Sequence, residues 1–145
     1  MRLLLDTHAL LWALSASGAL PASLRDVLED PANSVFVSAA SVWEMTNKQA
    51  RGKLRYPVAE VAAALHRASL LELPCTVRPA EAAALLPPHR RAPFDRMLVA
   101  QAQVEGLSLV SRDPAVRQYQ VTVLWAPEAQ APRAPYRVRR KRRRR

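Results

Sequence analysis

A chain of 145 residues, half of them hydrophobic, is long enough for one domain that buries roughly 68–70% of its unfolded surface. Its net charge of +10 is unevenly placed: nine of the 22 basic residues and no acid lie in residues 133–145, which leaves 13 basic against 12 acidic groups elsewhere. A single cysteine, Cys75, excludes an internal disulfide and any thiolate metal cluster, and fits a reducing compartment.

Met1-Arg2-Leu3-Leu4-Leu5 opens the chain with a short apolar run ended by Asp6 and Thr7. Such a run suits a strand buried on both faces, as in a parallel sheet. Asp6 and His8 interrupt it after three leucines, which argues against a secretory signal. No stretch approaches the roughly 20 apolar residues of a membrane span. The expected location is therefore cytoplasmic, with no membrane partner. Ala9 to Leu14 continues as a helix, so Asp6 falls at the carboxyl end of the first strand, the edge where open α/β sheets bind ligands.

Residues 15–18 form a break, and Pro21 to Asp30 reads as a second helix. Val35-Phe36-Val37 is a second strand, followed by a helix over residues 38–50 that stops at Gly52. Residues 57–70 read as a helix and residues 70–73 as a short strand. Pro79 to Leu86 reads as another helix. Pro93 to Glu105 carries proline in its first turn and Gly106 just past its end, the expected asymmetry of a helix. Leu107 to Val110 and Val121 to Trp125 are further strands. Strands separated by helices predict an α/β domain with a mostly parallel sheet flanked by helices. The predicted boundaries are a domain over residues 1–126 and a Pro- and Arg-rich tail over 127–145. The like charges of the tail predict disorder.

Four acids fall at related places. Asp6 and Asp113 follow strands, Glu44 lies in the helix after the second strand, and Asp95 lies in the first turn of the Pro93 helix. Each has a local explanation. Asp6 and Asp113 suit helix caps, Ser41-x-x-Glu44 fits a capping box or Glu44 pairs with Lys48, and Asp95 favours the positive end of its helix. Against four independent caps, Asp95 shares a helical stripe with Leu98, Val99 and Ala102, and Leu5, Val37 and Val110 end strands expected to be neighbours. Clustered carboxylates would repel unless a cation lay between them. Oxygen-only ligands suit Mg²⁺ or Mn²⁺, whereas zinc favours His or Cys. The three histidines share no ligand spacing, and the three glycines leave no phosphate-cradling loop.

These stretches resemble the PIN-domain family: Leu3-Leu4-Leu5-Asp6-Thr7-His8-Ala9-Leu10-Leu11-Trp12, Ser41-Val42-Trp43-Glu44-Met45, Pro93-Phe94-Asp95-Arg96-Met97-Leu98 and Leu109-Val110-Ser111-Arg112-Asp113-Pro114. They are similar in particular to VapC-like toxins of bacterial toxin–antitoxin pairs. The resemblance runs from Met1 to about Trp125. It implies a PIN-like fold and an Mg²⁺- or Mn²⁺-dependent endoribonuclease whose acidic cluster is Asp6, Glu44, Asp95 and Asp113. Thr7 and Ser111 match positions that support the cluster through hydroxyl contacts. It also implies a cognate antitoxin and a homodimer. Relatives usually carry an acid just before Pro-Phe-Asp, where this chain has Ala92. Arg90, Arg91, Arg96 and Arg112 lie near the expected edge and are candidates to hold RNA phosphates. The competing expectation is a non-catalytic module that binds RNA or a partner, its acids serving only as caps. A dehalogenase-type phosphotransferase is disfavoured because His8 stands where a second aspartate is needed. A receiver domain lacks its late strand-end lysine.

Overall fold

The computed structural model describes residues 1–15 and 18–125. The tail predicted over residues 127–145, with its basic run, lies outside the described residues. Five strands form one sheet: β1 (Arg2–Leu5), β2 (Ser34–Ser38), β3 (Leu71–Leu73), β4 (Ser108–Val110) and β5 (Val123–Leu124). They lie in the order β3-β2-β1-β4-β5 and every pair is parallel. Six helices connect or flank them: α1 (Thr7–Leu14), α2 (Ala22–Glu29), α3 (Ala39–Ala50), α4 (Val61–Arg67), α5 (Val77–Ala84) and α6 (Pro93–Glu105). The α/β architecture with a parallel sheet is the one expected from the alternation of strand and helix signals.

β1 is the central strand, and its three leucines are fully buried. Side chains alternate across a strand, so Leu3 and Leu5 enter one hydrophobic cluster, with Val37, Met45 and Trp125, while Leu4 enters the other, with Leu98, Val99 and Leu109. Two covered faces explain why the strand reads as an unbroken apolar run. Each buried leucine contributes about 1.5–3 kcal/mol from burial of its side chain.

The order of strands fixes where a ligand can enter. From β1 the chain steps to β2 and β3 on one side, then crosses back to β4 on the other. The direction of winding therefore reverses between β1 and β4. In an open parallel sheet this reversal opens a crevice at the carboxyl ends of the strands. Leu5 aligns with Val37 on one side and Val110 on the other, and the Asp6 amide donates to the Val110 carbonyl at 3.0 Å. Asp6 and the segment after β4 are thereby tied together at that crevice.

Some local expectations shift. The helix expected over residues 57–70 is a 3₁₀ turn, Val58–Glu60, followed by the shorter α4. Ser69 takes a left-handed conformation, φ 57°, which ends the helix before β3. α5 begins at Val77, not Pro79, because proline is tolerated within a first turn whose N–H groups have no intrahelical partner. Gly106 closes α6 at φ +69°, a conformation other residues rarely adopt.

Candidate active site

A cavity of about 520 Å³ opens at the β1/β4 crevice, and Asp6, Glu44, Asp95 and Asp113 all line it. Thr7, Ser111, Arg90 and Arg112 line it too. Acids from four separate stretches of sequence, the residues following β1 and β4 and the helices α3 and α6, therefore share one hollow.

Asp6 is held at the start of α1. One carboxylate oxygen, Oδ1, accepts from the Ala9 amide at 2.8 Å, and the nearby Ser111 hydroxyl favours the charged carboxylate. Asp113 repeats the device after β4: its Oδ1 accepts from the Ala115 amide at 2.9 Å, and its own amide donates to Ser111 Oγ at 3.1 Å. The caps anticipated from sequence therefore exist. They use one oxygen of each carboxylate and fix the side-chain rotamer, so capping and a shared site are compatible. The box suggested by Ser41 and Glu44 does not form. Ser38 caps α3 by accepting from the Ala40 amide at 3.0 Å, whereas the Ser41 hydroxyl is buried and makes no hydrogen bond. Ser41 lies within the helix, not at its end.

Glu44 faces the cavity between two partners. Thr7 Oγ1 donates to its Oε1 at 2.6 Å, and Lys48 Nζ lies 3.1 Å from its Oε2. Asp95, in the first turn of α6, faces Arg90, whose Nε lies 3.2 Å from Asp95 Oδ2. The same guanidinium reaches Asp113 Oδ2 at 2.6 Å.

The electrostatics distinguish Asp6 and Asp95. Burial pushes the Asp6 carboxyl above the usual range, against the lowering effects of the Ala9 and Ser111 hydrogen bonds and nearby His8, with Asp113 adding a smaller rise. Burial also raises Asp95; Arg90 opposes the rise, and the charges of Glu44, Asp113 and Asp6 add to it. These mutual effects are those of acids placed close together.

Four carboxylates with no His or Cys at hydrogen-bonding distance form an oxygen-donor set, the kind that suits Mg²⁺ or Mn²⁺. As placed, no three acidic, histidine or cysteine side chains among the described residues converge into a ready metal shell. Arg90 and Lys48 already draw on Asp95, Asp113 and Glu44. The donor chemistry fits a divalent cation, with Asp6 as the acid that makes no ion pair among the described residues.

The candidate phosphate-binding arginines have different fates. Arg112 lines the cavity with its guanidinium 5.3 Å from the Trp12 ring centroid. Arg90 bridges two of the acids, and Arg91 is exposed on the loop between α5 and α6. Arg96 does not stand open to phosphate: it donates to the carbonyls of Ala83, Leu86, Pro87 and Arg90 at 2.8–3.2 Å. It braces the loop instead. Tyr119 does the same from the other side, accepting from the Arg90 amide at 2.8 Å and donating to the Pro87 carbonyl at 3.0 Å. Nothing in the sequence around Tyr119 points to this. Lys48 carried a signal, its i,i+4 spacing from Glu44. Ala92, at the N-terminus of α6, offers no side-chain cap and lines the cavity without adding charge.

An acidic hollow at the winding reversal of a five-stranded parallel sheet defines the PIN class of α/β domain. The PIN domain family's sequence profile matches residues 3–121, and the chain belongs to that family. Its fold is shared with VapC toxin structures. VapBC2 from Rickettsia felis, solved on a promoter DNA fragment, aligns with a TM-score of 0.66 at 12% identity, over 86% of this chain and 99% of that one. DNA-bound VapBC from Salmonella typhimurium gives 0.63 at 16% identity, over 86% and 97%. Mycobacterium tuberculosis VapC20, described as a sarcin-ricin loop cleaving toxin, gives 0.57 at 20%, over 85% and 98%. No curated protein sequence matches the chain significantly.

Proposed function

We propose that the chain is a divalent-metal-dependent endoribonuclease, the toxin of a toxin–antitoxin pair. The observation that carries the reading is the convergence of Asp6, Glu44, Asp95 and Asp113 on one cavity, with Asp6 and Asp95 both raised in pKa. Asp6, Asp95 and Asp113 would hold Mg²⁺ or Mn²⁺, and Glu44 would complete the set directly or through water. When bound, such a cation supplies a water of lowered pKa and steadies charge on the leaving oxygen.

The chain's own groups then have separable tasks. Thr7 and Lys48 fix the orientation of Glu44. Ser111 holds Asp6 and the turn into Asp113 together. Arg112, on the cavity wall, is placed to receive an RNA phosphate, and exposed Arg91 is a candidate for the approaching strand. The structural kinship with the VapBC structures supports a cognate antitoxin as partner. A homodimer is proposed from the family resemblance.

The second reading, a binding module whose acids serve only as caps, draws on the real caps at Asp6 and Asp113. Two measurements separate the readings. Added Mn²⁺ should raise the melting temperature of the wild-type protein and leave Asp6→Asn less affected. RNA cleavage should require Mn²⁺ or Mg²⁺, stop in EDTA, and fall at least a hundredfold in Asp6→Asn and Asp95→Asn. Cleavage undiminished by EDTA, or full activity in Asp95→Asn, would overturn the metal-nuclease reading.

A further inference from the structure

The four acids differ in how their charge is balanced. Glu44 is paired with Lys48 on its own helix. Asp95 and Asp113 share one guanidinium, which contacts Oδ2 of each at 3.2 and 2.6 Å. Asp6 makes no ion pair among the described residues; hydrogen bonds and nearby His8 alone favour its charge. Arg112 faces the same cavity, yet it lies over Trp12 and makes no ion pair with the four acids.

Arg90 is exposed, but its backbone is tied down. Its backbone amide is fixed by Tyr119 Oη, and its carbonyl accepts from Arg96 at 3.2 Å. Arg96 and Tyr119 hold neighbouring Pro87 as well. The loop is thus anchored from α6 and from the segment before β5, with the Arg90 stem starting beside the acids. A planar guanidinium can contact two carboxylates at once, which a lysine ammonium does less well. It stands between Asp95 and Asp113, where a second metal ion bridging these acids would have to sit.

We propose that Arg90 takes the place of a second metal ion, so that the cavity loads a single divalent cation, held from the Asp6 side. This rests on the metal-nuclease reading and adds to it the number of ions and the residue that sets it. A cation bridging Asp95 and Asp113 has to displace the guanidinium. One held by Asp6 together with the oxygens of Asp95 and Asp113 that do not face Arg90 would leave it in place. The Asp113 oxygen facing away from Arg90 already accepts from Ala115, which leaves Asp113 little capacity for two ions while Arg90 is in place.

The test is Mn²⁺ binding to the full chain without RNA, counted by electron paramagnetic resonance of free Mn²⁺ and by calorimetry. The wild-type protein should bind one Mn²⁺. Arg90→Gln and Arg90→Met, which keep much of the stem and remove the charge, should bind two. Circular dichroism identifies the variants that are folded, and one folded variant suffices. A second ion on the wild-type chain would overturn the role of Arg90 while leaving the metal site standing. A count that stays at one in a folded neutral variant would overturn it equally. No binding to wild-type protein would remove the metal reading itself, and the proposal with it. A wild-type count above one overturns the proposal whether or not either variant folds.

Discussion

Thr7 and Glu44 are joined by a 2.6 Å hydrogen bond from a hydroxyl at the first turn of α1 to a carboxylate on α3. Thr7 is buried and lies 37 residues from its partner. The bond therefore couples the start of α1 to the second turn of α3, the helices that follow β1 and β2, and it fixes one Glu44 oxygen while Lys48 fixes the other.

Replacing Thr7 with valine keeps the volume and removes the donor. The expected loss of stability is about 1–2 kcal/mol, because Glu44 loses a charge-assisted bond in a partly buried place. Thr7→Ser should recover most of it. Urea unfolding of the three proteins measures this, and equal midpoints for valine and wild type would show that the bond contributes nothing.

The raised pKa values of Asp6 and Asp95 predict a direction for pH dependence without metal. A carboxyl raised by folding binds its proton more tightly in the native state. Its favourable contribution is present below the ordinary value near 3.8 and is lost as pH rises through the folded value. As pH rises through the folded values, both groups take up their charge at a cost to the fold. Asp6→Asn should melt a few degrees higher than wild type at pH 7 in EDTA, and the difference should shrink as pH approaches 4. A difference that stays constant from pH 4 to 7 would mean Asp6 is not strained by its charge.

Arg96 ties the loop over residues 87–92 to the end of α5 through four carbonyls, Ala83 and Leu86 before the loop and Pro87 and Arg90 within it. Arg96→Ala should cost about 2–3 kcal/mol, the scale of charge-assisted bonds lost together. Arg96→Lys should not restore stability, since a single ammonium cannot serve four acceptors so spread. Limited proteolysis at residues 87–92, faster in both variants, would read the loosening directly. Unchanged cleavage there would place the loop's rigidity with Tyr119 alone.

The basic run over residues 133–145 is expected to gather RNA onto a body that is otherwise nearly neutral. Each phosphate it neutralises should steepen the dependence of log affinity on log salt by about 0.7 for a single strand. Truncation after Trp125 keeps a residue that is buried against Trp12 and removes the run. On an Asp6→Asn background, truncation should weaken RNA binding at low salt and flatten the slope. In the active protein it should leave the cleavage position unchanged, because phosphate contacts carry no sequence information. Identical slopes would show that the tail does not touch RNA.

The sheet was legible because its signals are local. Leu3 to Leu5 is short, apolar and ended by a polar residue, and the similar runs at Val35–Val37 and Leu107–Val110 supply three adjoining strands. Asp95 was legible through the buried residues that share its helical stripe, Leu98, Val99 and Ala102. The cap of α3 was not, since Ser38 and Ser41 have equal intrinsic preference and only the helix start distinguishes them. Arg90 was visible as a charge near the site, but its contact with two acids depends on how a proline-rich loop is tied down by Tyr119 and Arg96. Such ties join residues far apart in sequence and leave no periodic trace.

The double use of Asp6 and Asp113, each with one oxygen on a helix amide, bears on how the chain can lose activity by mutation. Alanine at either position removes the cap along with the charge, at about 0.5–2 kcal/mol for the cap alone, so an alanine scan would confuse misfolding with inactivity. Asparagine keeps an oxygen for the amide and removes the negative charge. An aspartate codon becomes an asparagine or an alanine codon by a single base change, so only the retained cap separates the two. If expression is harmful to its host, spontaneous survivors that still produce a folded protein should therefore favour Asp→Asn over Asp→Ala at residues 6 and 113.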